Sequence, residues 1–169
     1  RVVHFNGGQQ AAHNVIANGR HHTFSSYGSG TLAGVPTFIG PKCTTNPLAV
    51  VAEARHLRRI LTTTTRRIQI HESALGTTQL HIMMNHWRET ARGDARHGST
   101  GTGFGETIAW EYDGNEPLRV RDLSDFDRVR HWLDTYVDAN PALLGMRRGL
   151  DTSTMAHELV GHGVQVYDV

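Results

Sequence analysis

His157-Glu-Leu-Val-Gly-His162 is the stretch that most constrains what this chain can fold into. Two imidazoles grip one metal ion only if they leave the same face of one element. On an α-helix, residues four apart differ by about 40° and residues five apart by about 140°. His157 and His162 are five apart, so chelation demands a helix with one π-type turn, and Gly161 sits where loosening helps. In such a helix Glu158 lies beside the metal, where a general base for metal-bound water belongs. Zinc takes His nitrogen and carboxylate oxygen, and a catalytic site keeps one position open for water. Asp168, shortly after His162, is the candidate third ligand, and Tyr167 beside it can donate a hydrogen bond to a developing oxyanion. The competing reading is a helix that carries two histidines and a glutamate by chance. With 12 histidines among 169 residues, chance pairs are expected.

The rest of the composition narrows the class. The length suits one domain over residues 1–169 with room for a hydrophobic core. The formal charge is +1, so no strong attraction to nucleic acid or to anionic lipid is expected, and no apolar run approaches a membrane span. Cys43 is the only cysteine, which excludes an internal disulfide and a Cys-rich zinc finger. Arg1 stands where an initiator Met would, so the sequence reads as an excised or processed piece.

Local patterns give a coarse α+β expectation: a zincin-like small mixed sheet packed by helices, with the metal site on the C-terminal helix. Residues 1–45 read as an irregular N-terminal portion, rich in Gly, Ser, His and Asn. Residues 46–169 carry the helices and sheet. Asn46 as cap, Pro47 at the first helical position and apolar residues at helical spacing predict a helix from Pro47 to about Leu61. Ile68 and Ile70 predict a strand, and "TTQLHIMMN" a second one. Arg88 to Gly105 reads as a long polar loop. "ETIAWEYD" alternates, so Thr107 to Tyr112 reads as a strand, either the best edge for an extended substrate to pair with or an ordinary core strand. Ser124 is placed as the cap of a helix to about Val137, lined by Phe126, Val129, Leu133 and Tyr136. Asp151, Thr152 or Ser153 caps the last helix, at about 152–165.

"HELVGHG" resembles the H-E-x-x-x-H helix of the dipeptidyl peptidase III family, which also has Gly before and after the second His; the match covers about seven residues. A broader likeness, over roughly the last seventy residues, is to the effector-type zinc metallopeptidases of bacteria, with "GTGFGETIAWEYDG", "NPALLG" and a late "MAHEL…H" helix. Gly161 is an extra residue against that pattern. The resemblance implies a zinc-dependent endopeptidase, secreted or delivered into a target cell and acting in its cytosol. It implies a protein or peptide substrate, an immunity or inhibitor protein as partner, and Asp168 as a zinc ligand.

Other motifs are weighed against plainer readings. His21-His22, His81, His86 and His131 are alternative ligands, though each also reads as a packed or solvated histidine. "RGD" at Arg92 to Asp94 is a tripeptide that chance supplies. "GTGFG" at Gly101 to Gly105 suggests a phosphate cradle, but no Lys-Ser/Thr signature follows and it reads as a flexible turn. Arg58-Arg59, Arg66-Arg67 and Arg147-Arg148 read as solvated faces. Cys43 reads as an inert thiol. The expectation is thus a metallopeptidase with zinc on His157, His162 and Asp168, and Glu158 moving the proton. The alternatives are a non-catalytic binding or toxin module with a structural or degenerate metal site, and a histidine-based nuclease.

Overall fold

The structure is a computed structural model that describes residues 1–61, 68–144 and 151–161, with the backbone alone at 166–167. Its centre is a parallel sheet. β1 (Val2–His4) pairs with β4 (Thr37–Ile39), β4 with β6 (Ile68–His71), and β6 with β8 (Val166–Tyr167). Every pairing in the order β1-β4-β6-β8 is parallel, with Val2 opposite Thr37, Thr37 opposite Ile68, and Ile70 opposite Val166. Parallel neighbours need long crossovers, and here those crossovers carry the helices. The architecture is therefore α/β. The expected zincin-like small mixed sheet is corrected, because the alternation at Ile68 and Ile70 fixes a strand but not the direction of its partners.

Residues 1–45, read as irregular, carry five short strands. β2 (His13–Ala17) and β3 (Arg20–Phe24) form an antiparallel hairpin, and β5 (Thr44–Thr45) pairs in parallel with β7 (Leu75–Gly76). The hairpin closes on Asn18 and Gly19, both at positive φ (52° and 71°), the backbone that a two-residue turn between twisted strands demands.

α1 (Pro47–Ile60) follows expectation, with Asn46 Oδ1 accepting from the Leu48 and Ala49 amides at 3.0 and 3.2 Å. Its inward stripe is Val50, Glu53 and Leu57. "TTQLHIMMN" is no strand: it opens α2 (Gln79–Ala91), which buries Leu80, His81, Met84 and Asn85 at helical spacing. Thr107 to Tyr112 is no strand either. It lies in α3 (Phe104–Tyr112). Ile108 and Tyr112 share a face in a helix and in a strand alike, so Trp110 decides. In a strand it would join them. In the structure Tyr112 is 89% exposed, while Trp110 packs on Trp132 and Tyr136.

α4 (Phe126–Ala139) starts one residue later than read, capped by Asp125, whose Oδ1 accepts from the Arg128 amide at 3.0 Å. α5 (Pro141–Leu144) is one short turn. α6 (Thr152–Gly161) starts after Asp151, whose Oδ1 accepts from the Ser153 and Thr154 amides at 3.0 and 3.1 Å. α6 lies on α4 and buries Ala156 and Leu159. One cluster of buried residues runs from Phe24 through Ile70, Leu80, Val129 and Leu133 to Leu159.

Candidate functional site

Open parallel sheets place ligands beyond the carboxyl ends of their strands. The segment leaving β1 at that end is Phe5 to Ala12, with Gly7 and Gly8 at its centre. The Thr44 amide donates to the Gly7 carbonyl at 2.8 Å, fastening this loop to the start of β5. Gly8 is packed so closely that a Cβ there would stand 2.1 Å from Thr44 Oγ1 and 3.1 Å from Phe104 Cδ2. Only glycine fits. The same contact brings the loop against the first residue of α3, so two glycine-rich segments far apart in sequence meet.

A cavity of about 380 Å³ opens beside this loop, lined by His4, Asn6, Gly8, Gln10, His13 and Ser25. The His4 and His13 rings lie 6.2 Å apart, centre to centre. Burial, then the neighbouring His13, holds His4 below the usual histidine range, so it is neutral at neutral pH. Gln10 Oε1 is buried and has no partner among the described residues. The loop is anchored from behind. Gln9 hydrogen-bonds Ser26 Oγ. Glu53, 8% exposed on α1, accepts from the Ser26 amide at 2.7 Å and from the Ser25 and Tyr27 amides, and bonds His22 Nε2 at 3.0 Å.

The second segment, Gly98 to Gly103, enters α3. Gly98, Gly101 and Gly103 all have positive φ (70°, 72° and 76°). Gly103 is the N-cap, so no side chain caps α3, and its first-turn amides and dipole face the turn. A Cβ at Gly103 would lie 2.9 Å from the Ile82 backbone nitrogen. Glu89 accepts from the Gly98 and Ser99 amides at 2.9 and 3.3 Å, and Asn85 Oδ1 accepts from Ser99 Oγ at 3.0 Å. A second cavity, about 500 Å³, runs along this turn past His86, Arg96, Thr100 and Gly101. An uncapped helix N-terminus behind a glycine turn suits an oxyanion.

The residues singled out in the sequence lie elsewhere. His157 is exposed on α6, its ring tilted against Phe126 with centres 4.3 Å apart. Glu158 is exposed and accepts from Gln79 Nε2 at 3.3 Å. His162 and Asp168 fall outside the described residues, and of Tyr167 only the β8 backbone is described. α6 is α-helical to Gly161, without a π turn. Among the described residues, no group of three or more His, Cys, Asp or Glu side chains converges as a metal site. His81 is buried, His86 faces Gly101, and His131 is exposed. Cys43 is buried with Sγ donating to the His4 carbonyl at 3.3 Å. Arg92 to Asp94 is exposed, whereas Arg66-Arg67 and Arg147-Arg148 fall outside the described residues.

Sequence reasoning missed Gly7-Gly8, Glu53 and Glu89. The glycine turn was visible, and the absent Lys-Ser/Thr signature diverted the reading. The helix that follows it was mistaken for a strand.

A parallel α/β sheet with glycine loops meeting beyond its carboxyl edge defines a class of oxyanion-accepting enzyme folds, not a zincin. The comparisons narrow the class. The family model described as adenylosuccinate synthetase matches residues 1–168. An adenylosuccinate synthetase of Picrophilus torridus is 26% identical over 99% of this chain and 39% of its own length. Those of Burkholderia mallei and Burkholderia pseudomallei are 33% and 32% identical over 79% of this chain and 31% of theirs. A solved structure of fully ligated adenylosuccinate synthetase from Plasmodium falciparum superimposes with a TM-score of 0.77, covering 95% of this chain and 38% of that one. At 15% identity that likeness is one of fold.

The chain belongs to the adenylosuccinate synthetase family. It spans between 31% and 39% of the length of these curated relatives. Membership overturns the metallopeptidase reading and what depended on it: the hydrolase and toxin classes, the zinc cofactor, the peptide substrate and immunity protein, and secretion or delivery into a target cell. The non-catalytic binding module falls with it. A seven-residue motif and a broader likeness over roughly the last seventy residues carried that reading, and His157 rests against an aromatic ring instead.

Proposed function

We propose that this chain forms part of a ligase site that joins aspartate to IMP at the expense of GTP, the substrates of its family. The observation that carries the reading is the meeting of the Gly7-Gly8 loop with the Gly98–Gly103 turn at the start of α3, beyond the carboxyl end of β1. The turn offers backbone amides and a helix N-terminus to a nucleotide phosphate. The adjoining cavity offers Gln10 and the His13 ring as donors to the oxygens of a bound base or phosphoryl group. Neutral His4 leaves that cavity without a fixed cation at its floor. The family also uses Mg²⁺. Among the described residues no group of three or more His, Cys, Asp or Glu side chains converges that would hold it. We take residues 1–169 as one folding unit, on the strength of the continuous core cluster.

The test is titration of the chain with IMP while the amide resonances of residues 98–104 are followed. Saturable shifts there, together with IMP- and aspartate-dependent GDP release when GTP is supplied, would support the reading. An unchanged spectrum at the turn would overturn it.

A further inference from the structure

One face of α2 touches the Gly98–Gly103 turn at four points. Residues four apart on a helix lie about 40° from one another, so His81, Asn85 and Glu89 form a row. Glu89, at one end, takes the Gly98 and Ser99 amides. Asn85 takes the Ser99 hydroxyl. Next to it, His86 stacks so close to Gly101 that a Cβ there would lie 3.0 Å from its ring. The backbone of His81 and Ile82 closes on Gly103 at the other end. The turn is laid along the helix as on a template.

A carboxylate beneath an anion-binding turn calls for an explanation, since it repels the ligand. Two features remove the conflict. Arg92 Nη1 lies 2.5 Å from Glu89 Oε1, so the pair carries no net charge. The carboxylate also spends its acceptors on amides at the start of the turn, and no side chain caps the amides at the start of α3. We infer that Glu89 is a positioning residue: it acts through Gly98 and Ser99 and sets the turn's geometry without touching the ligand. This rests on the reading of the turn as a nucleotide-phosphate site. Partial burial works against ionisation of Glu89, but the hydrogen bonds from Ser99, Arg92, Gly98 and His97 together hold its carboxyl below the usual glutamate range.

The experiment uses the whole chain, with IMP and inorganic phosphate as probes, in wild type, Glu89→Ala and Glu89→Gln. Two readouts are taken: amide hydrogen exchange at Gly98 and Ser99 without ligand, and affinity from the shifts at Gly101 to Gly105. Glu89→Ala is expected to speed exchange at those two amides and to weaken both probes about tenfold, a fraction of what the two amide bonds themselves are worth, because Glu89 acts on the ligand only through the turn. Glu89→Gln keeps an acceptor oxygen and should recover most of the affinity. Protonation of the phosphate probes and of His86 and His97 beside the turn changes binding in both proteins alike, and wild type should lose further affinity in acid as Glu89 takes up a proton, whereas Glu89→Gln should not. A passive surface role would give no such rescue and no such difference in pH profile. Equal affinity and equal exchange in Glu89→Ala and wild type would overturn the inference. Failure of wild type to bind either probe would instead overturn the reading of the turn, and the exchange rates would still show whether Glu89 holds it.

Discussion

His81 shows how much one side chain can bind together. Its Nδ1 accepts from the Thr78 amide at 3.0 Å, so the neutral ring carries its proton on Nε2. That N–H has no hydrogen-bond partner among the described residues and lies among the rings of Trp132 and Tyr136, whose centres are 5.2 and 4.8 Å away. Burial pushes the ring's pKa from 6.5 to about 3. The unfolded chain takes up a proton near pH 6.5 that the folded chain refuses until about pH 3. His81 therefore contributes stability that is complete above that range and lost as pH falls through it. Denaturant midpoints measured from pH 7 to pH 4 should fall more in wild type than in His81→Leu. The variant should also be about 1–3 kcal/mol weaker at pH 7, because the Thr78 amide loses its acceptor. Glu106 has the opposite sign. Burial raises its carboxyl pKa even though Arg88 Nη1 lies 2.6 Å away. Its stabilising, protonated form is complete below the usual glutamate value and is lost as pH rises through the raised one. Glu106→Gln should thus lose less stability than wild type between pH 4 and pH 7 in thermal melts; a steeper loss would contradict this assignment. The sequence leaves His81 open as a packed or a surface histidine of a strand, and nothing local marks Glu106 as buried.

Helices whose caps and stripes agree were read well, and those whose signals conflict were not. Asn46 and Pro47 fix the start of α1, and Val129, Leu133 and Tyr136 fix the inner face of α4. α3 failed because two of its apolar residues fit both periodicities. α2 failed because His81 and Asn85, both polar, occupy inward positions. Asn85 bonds Ser99 of the glycine turn, while the His81 ring is buried against Trp132 and Tyr136, so the pattern was broken partly by the candidate site and partly by the core. α6 was read correctly as a helix and misread as a metal helix. It is a buttress on α4, and Asp151 closes its N-terminus. Asp151→Ala should cost about 1 kcal/mol. That loss should appear as a lower denaturation midpoint, with the binding of IMP unchanged.

At the scale of the whole molecule, the parallel sheet brings the two glycine segments together. No local pattern encodes that meeting, because it depends on how β1, β4 and β6 are ordered. Only α1, β6, α4 and α6 are legible near their places in the sequence, while the short strands of residues 1–45, α2, α3 and the site depend on the arrangement of the sheet. Binding at the loops should stabilise the entire fold. IMP at about one hundred times its dissociation constant should add about 2.7 kcal/mol. For a chain of this size that is a rise of roughly 5–10 °C in melting temperature. No shift at saturating IMP would count against the proposed site.

The register of the sheet also bears on how the chain is made. β6 pairs with β8, setting Ile70 beside Val166. A ribosome releases the β1, β4 and β6 segments long before β8 exists. For that interval the flank of β6 that β8 will cover presents unpaired amides and carbonyls, the template on which chains join one another. Contacts so distant in sequence also form slowly. Newly made chain should therefore be most prone to clump in the interval before β8 emerges, and chaperones that shield strand edges should matter most then.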